Sequence, residues 1–207
     1  MGQTVYLVDD DPDVRHAIAF LLEAEGLPVR AFGSPDELLD VVTPRDAGCF
    51  VLDVRLPGMN GLELQEALKE RRIRLPVLFI SGHGDIPMAV RAVNAGALDF
   101  LEKPFRDETL LEKVRNALEL DRTAQEVLHE RQEIERRIDS LTPREREVME
   151  GILEGKLNKI IAYDLDVSVR TVEVHRAHVL SKLGARNSSE LVRMALSTDR
   201  YRDWLLG

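Results

Sequence analysis

Four apolar runs in the first half of this 207-residue chain each lead to polar side chains of the kinds that phosphoryl chemistry uses. Val5-Tyr6-Leu7-Val8 leads into Asp9, Asp10 and Asp11, Cys49 to Leu52 into Asp53, Val77 to Ile80 into Ser81, and Leu98 to Leu101 into Glu102 and Lys103. Moving a phosphoryl group onto a carboxylate brings anion against anion. Such a site needs an acceptor carboxylate, further carboxylates for a hard divalent cation, and cationic or hydroxyl groups against the phosphoryl oxygens. The four run ends supply that set. Asp53 is its centre, because CFVLDVRLPGMNG from Cys49 to Gly61 reads as a buried strand handing one carboxylate to a Pro-Gly loop. Taken alone, that stretch could equally be a loop cap; the other three run ends decide for chemistry.

The elements that must position these groups follow from pattern. Residues 1–120 alternate strand and helix signals, which predicts a doubly wound parallel sheet in a flavodoxin-like order. The strands are Thr4–Val8, Val29–Ala31, Cys49–Asp53, Val77–Ile80 and Ala97–Leu101. The helices fall at Pro12–Glu25, Pro35–Val42, Leu62–Arg71 and Pro87–Ala95, with a last one from near Asp107. Asp11, just before Pro12, reads as the start of a helix cap. Leu120, Ala124, Val127, Arg131, Ile134, Ile138 and Leu141 then recur at alternating spacings of 4 and 3, with no Gly or Pro between Arg106 and Leu141. That predicts a long helical linker over 121–140, either pairing two chains through this seam or standing as a single solvated helix.

Thr142-Pro143-Arg144-Glu145 is a capping box that opens a new domain over 141–207. Its four helices run from Pro143 to near Glu154, Asn158 to Leu165, beyond Ser168 to Leu183-Gly184, and Ser188 to Leu196. The second and third, joined by a turn at Asp166-Val167, have the form of a helix-turn-helix.

Charge divides unevenly. Residues 1–120 carry −8, residues 121–140 carry −2 and residues 141–207 carry +1, which make up the net −9 of the chain. A sequence pI near 5.1 does not exclude nucleic acid, because such binding depends on a local patch. The single Cys49 allows no disulfide within the chain and reads as a buried thiol. No secretory signal opens the sequence and no apolar run approaches membrane-spanning length, so the expectation is a soluble cytoplasmic protein with no membrane partner.

VDDDP, LDVRLPGMNG, ISGHGD and DFLEKPF, in this order and spacing, resemble the receiver domain of two-component response regulators. The second half resembles the LuxR-type helix-turn-helix, so the whole chain is similar to the NarL/FixJ family, nearest its FixJ-like branch. That resemblance implies Asp53 as the phosphoacceptor, served by a sensor histidine kinase. It implies Mg²⁺ or Mn²⁺ held by Asp10, Asp53 and the main-chain carbonyl of Arg55, with Asp9 acting through water. Ser81 and Lys103 would contact the phosphoryl group, with the Lys103–Pro104 bond cis as in the family, and Phe100 would be the switch aromatic. Phosphorylation would drive homodimerisation through Asp85–Ala95, Ala97–Leu101 and the following helix. The third effector helix would read promoter DNA, with Arg170, Thr171, His175, Arg176, Lys182 and Arg186 suited to phosphates, and Glu173, Val174, Ala177 or Arg176 to base edges. RNA polymerase is a further expected partner. His83, in the loop after Ser81, reads as a loop residue near the pocket rather than a metal ligand.

Two features set this chain apart from the common pattern. Ile160 stands where Glu is usual, and Tyr163-Asp164 where two Arg are common, which predicts weak non-specific DNA affinity and a need for dimerisation. The chain is not expected to be an enzyme beyond catalysing its own phosphorylation and dephosphorylation. A phosphohydrolase of the haloacid dehalogenase type would need a second carboxylate two residues after the nucleophile, where Arg55 stands. A phosphorylation-independent regulator is the other alternative.

Overall fold

The computed structural model describes residues 2–82 and 86–206. The chain forms two compact units, Met1–Gln125 and Glu126–Gly207. In the first, strands β1 Thr4–Val8, β2 Val29–Phe32, β3 Gly48–Asp53, β4 Val77–Ser81 and β5 Asp99–Glu102 alternate with helices α1 Pro12–Ala24, α2 Pro35–Leu39, α3 Gly61–Glu70, α4 Ile86–Asn94 and α5 Asp107–Asp139. The strands pair in parallel in the order β2-β1-β3-β4-β5, which puts β3 in the middle with all six residues buried.

The period-two alternation of strand side chains sorts them into two cores. Tyr6, Val8, Phe50, Leu52 and Phe79 face one side, with Leu64 and Leu68 of α3. Val5, Leu7, Cys49, Val51, Leu78 and Ile80 face the other, with Ile18 and Leu22 of α1 and Leu110 and Val114 of α5. Burial and the nearby Asp121 carboxylate push the Cys49 thiol up to about 12, so it stays protonated and inert. Side-chain caps start the helices where the sequence signals them. Asp11 accepts from the amides of Asp13 and Val14, Ser34 from Glu37, and Asn60 with Glu63 closes a capping box on α3. At β5 the chain pairs later than the pattern suggests: Ala97 closes α4 through its amide to the Ala92 carbonyl, and strand geometry begins at Asp99.

The second unit contains the rest of α5, then α6 Pro143–Leu153, α7 Asn158–Asp164, α8 Val169–Leu183, α9 Ser188–Leu196 and a further short helix, α10 Asp199–Leu206. Thr142 and Glu145 form the expected capping box. The 4-3 seam along α5 divides into two different things. Ile134, Ile138 and Leu141 are buried in the core of the second unit beside Val148, Met149 and Leu191. Leu120 and Val127, at 45% and 62% exposure, face solvent, and Arg131 is ion-paired to Asp199. Within 121–140, then, the last part of the helix is domain core. Its first residue is anchored as well: the buried Asp121 carboxylate accepts from the Gly48 amide at 2.8 Å and from Gln3 Nε2 at 3.0 Å, which ties α5 to the start of β1 and β3.

Candidate functional site

The carboxyl edge of the sheet brings the run-end residues together. Asp9 follows β1 directly and Asp53 ends the adjacent β3; both are buried, at 0% and 6% exposure. Each is oriented by a local amide. Asp9 Oδ1 accepts from Asp11 N at 3.0 Å, and Asp53 Oδ1 accepts from Arg55 N at 2.9 Å. The free oxygen of each meets the same cation: Lys103 Nζ donates to Asp9 Oδ2 and Asp53 Oδ2, both at 2.6 Å. The Lys103–Pro104 peptide is cis, and the Lys103 amide bonds the Ser81 carbonyl at 2.8 Å, so the end of β4 joins the site. Ser81 is fully buried.

The exposed Asp10 completes the cluster. One carboxylate oxygen from each of Asp9, Asp10 and Asp53 lies within 4.8 Å of the others. Hard oxygen donors converging in this way fit a small divalent cation. Burial disfavours the Lys103 ammonium, but the hydrogen bonds and charges of Asp53 and Asp9 outweigh it and raise its pKa. One ammonium shared by two buried carboxylates cannot neutralise both. Burial therefore dominates at Asp9 and lifts its carboxyl above the usual range, against the pull of Lys103. The site is short of positive charge, as a site that admits a cation and an incoming phosphoryl group should be.

Phe100 is half-buried on β5, packed against the core that contains Phe79. His83 and Asp85 lie outside the described residues. Sequence reasoning did not find Arg15, whose Nη1 donates to the Asp9 carbonyl at 2.6 Å from one turn into α1. Its position six residues after Asp9 was the only signal.

In the second unit, α7, a left-handed turn at Asp166 (φ 52°) and α8 make the helix-turn-helix, with Ser168 capping α8 and Gly184 ending it. The residues expected to read DNA fall into two groups. Arg170, Glu173, Val174 and Ala177 are exposed along one side of α8. Arg176 is instead held within the domain, donating to Asn158 Oδ1 of α7 at 3.2 Å and to Ser188 Oγ of α9. Lys182 donates to the buried Glu145 of α6 at 2.6 Å. Thr171 is engaged with the Ser168 cap, and His175 is half-buried. Arg186 is exposed.

A carboxylate and lysine cluster at the edge of a parallel sheet, followed by a helix-turn-helix, defines a phosphorylation-type receiver linked to a DNA-reading domain. The comparisons agree. The response regulator receiver domain matches residues 5–115 and the luxR family of bacterial regulatory proteins matches residues 139–195. The transcriptional regulatory protein FixJ of Azorhizobium caulinodans is 48% identical over 194 residues, 93% of this chain and 91% of that one. Among solved structures, the response regulator StyR has a TM-score of 0.84 at 40% identity, covering 94% of this chain and 98% of that one. Full-length FixJ from B. japonicum has a TM-score of 0.59 at 42% identity, covering 95% and 97%. This chain belongs to the two-component transcriptional response regulators with a LuxR-type domain, in their FixJ-like branch. Among the described residues no helix is long and apolar enough to cross a membrane.

Proposed function

We propose that Asp53 takes a phosphoryl group from the phosphohistidine of a sensor kinase in the cytoplasm. An Asp53 oxygen forms the new P–O bond, the P–N bond breaks, and the imidazole leaves with its electron pair. Lys103 and Ser81 receive the phosphoryl oxygens. Asp10, Asp53 and the Arg55 carbonyl are the ligands for Mg²⁺ or Mn²⁺, with Asp9 acting through water. When bound, the ion offsets the negative charge that gathers as anion meets anion. The chain catalyses this transfer and then the hydrolysis of the acyl phosphate, in which water bonds to phosphorus and the Asp53 carboxylate and inorganic phosphate are released, and turns over no other substrate. The observation that carries the reading is the Lys103 ammonium held at 2.6 Å from both Asp9 and Asp53.

The phosphorylated side chain gains about −1.5 to −2 charge and three acceptor oxygens, which draw Ser81 toward it and let Phe100 turn inward. The affected face, α4, β5 and the start of α5, then pairs two chains. Val90 and Val93, at 50% and 54% exposure one turn apart on α4, offer an apolar contact there. The dimer presents two copies of α8 to promoter DNA, with Arg170, Glu173, Val174 and Ala177 outward, and acts on transcription with RNA polymerase.

The test is labelling of full-length protein with a small phosphodonor and Mg²⁺, with the acid-labile phosphate located by mass spectrometry. Label on Asp53 is expected, and its loss in Asp53→Ala and on chelation. Undiminished labelling of Asp53→Ala rejects the assignment. Light scattering with and without donor tests dimerisation; an unchanged mass across micromolar concentrations counts against it.

A further inference from the structure

Asp10 is the exposed carboxylate of the acidic cluster, and its side chain makes no hydrogen bond or ion pair among the described residues. The chain on either side of it is fixed instead. Asp9 N donates to the Phe32 carbonyl at 3.3 Å, Asp9 Oδ1 accepts from Asp11 N at 3.0 Å, and Asp11 caps α1. The remaining tie is Arg15, half-buried on α1, whose Nη1 donates to the Asp9 carbonyl at 2.6 Å. Its guanidinium lies against the loop between β2 and α2, where a Cβ added at Gly33 would come within 3.6 Å of Nη1. The Asp9 carbonyl belongs to the peptide that joins Asp9 to Asp10. Because a peptide unit moves as a plane, a group that holds this oxygen also holds the Cα of Asp10, and with it the direction in which the carboxylate leaves the chain.

We propose that Arg15 is a positioning residue for the metal site: by fixing the Asp9–Asp10 peptide it sets Asp10 in place before a divalent cation arrives. This rests on Asp10 being a ligand for Mg²⁺ or Mn²⁺. A carboxylate on a loose loop has to be ordered as it binds, which weakens affinity, whereas a charge-assisted hydrogen bond to the preceding carbonyl orders it during folding. Charge and position pull in opposite directions here. A guanidinium beside the cluster repels a cation, so a purely electrostatic role predicts tighter metal binding once Arg15 is replaced. A positioning role predicts weaker binding.

The experiment uses full-length wild type, Arg15→Met, Arg15→Gln and Arg15→Lys. Mn²⁺ binding is measured without phosphodonor, from the loss of the free-ion electron paramagnetic resonance signal. Initial rates of Asp53 labelling by acetyl phosphate are then taken across a Mg²⁺ titration. Arg15→Met keeps an apolar stem but has no donor, and Arg15→Gln ends short of the Nη1 position. In both, the Mn²⁺ dissociation constant and the half-saturating Mg²⁺ should rise about tenfold, the scale for losing a group that orients a metal ligand. The rate at saturating Mg²⁺ should stay within about twofold, because Asp10 is then ordered by the bound ion. Arg15→Lys, which retains a donor and the charge, should stay within about threefold of wild type in both constants. Unchanged metal affinity in Arg15→Met and Arg15→Gln, tighter binding in either, or a loss in Arg15→Lys as large as theirs overturns the proposal. So does a lowered rate at saturating Mg²⁺ with an unchanged midpoint, which a role in folding alone would give. Should Arg15→Met fail to fold, Arg15→Gln carries the same test. The underlying assignments fail in other ways: a wild type that takes up no Mn²⁺ rejects the metal site and the role of Arg15 with it, and undiminished labelling of Asp53→Ala rejects the acceptor.

Discussion

Around Asp53, two buried carboxylates share one ammonium beside a third carboxylate, Asp10, whereas on α8 Arg176 and Lys182 already have their acceptors inside their own domain. The first arrangement leaves negative charge unbalanced at the place proposed to take an ion and a phosphoryl group. The second uses its cations to brace helices and leaves a mixed surface of Arg170, Glu173, Val174 and Ala177 to meet a partner. The contrast shows that the type of a residue does not reveal its task. A half-buried lysine between two carboxylates leaves their charge only partly balanced, and a basic residue on α8 can serve the fold.

Several substitutions would sharpen or break that contrast, the largest effect first. Lys103→Ala leaves Asp9 and Asp53 facing each other with no counter-charge, and should cost about 3–5 kcal/mol in metal-free buffer by urea unfolding. Addition of Mg²⁺ should restore part of the loss; a variant as stable as wild type without metal would mean that the cluster is not electrostatically strained. Arg176→Ala removes a tie among α7, α8 and α9 and should lower the stability of the second unit by about 1–3 kcal/mol while leaving base preference intact. Glu173→Ala or Val174→Ala should do the reverse, shifting preference by about 1–3 kcal/mol per contact in selections from random DNA, with little effect on folding. If Arg176→Ala alters preference at full stability, the division of α8 into bracing and reading residues fails.

The smallest effect concerns pH. The hydrogen bond from Lys182, then the Thr142 amide, holds the Glu145 carboxyl down at about 2 from an ordinary 4.5. Because the folded state prefers the ionised form, this stabilisation is complete above 4.5 and is lost as pH falls toward about 2. Loss of the helical circular-dichroism signal follows the unfolding. Acid unfolding monitored this way should be less steep over that interval in Glu145→Gln.

The sheet and the gathering of Asp9, Asp53, Ser81 and Lys103 were legible because strand periodicity is local and each group sits where its run ends. Helix starts were legible for the same reason, through caps at Asp11, Asn60 and Thr142. What could not be read depends on distant partners. Arg176 meets Asn158 and Lys182 meets Glu145 across 18 and 37 residues, and no local spacing encodes either contact. The α5 seam misleads for a different reason. A 4-3 repeat describes any apolar stripe, whether it faces a second chain or its own domain, and only the burial of Ile134 and Ile138 separates the cases. The helix α10 did carry a signal: Thr198 precedes it and the acidic Asp199 lies in its first turn, and Thr198 is buried with its hydroxyl donated to the Ala195 carbonyl.

That burial limits how the halves of such a chain can be exchanged. A fragment starting at Leu141 would begin with its capping box intact but without two of its core side chains, and should be expressed as an unstable product. A fragment starting near Glu126 carries them. Recombination that swaps sensory and DNA-reading halves between relatives can therefore join them without loss only upstream of Ile134, and downstream of Asp121, whose carboxylate belongs to the sheet. The interchangeable joint of this architecture is about a dozen residues of exposed helix, roughly three turns, rather than the full interval between two recognisable domains.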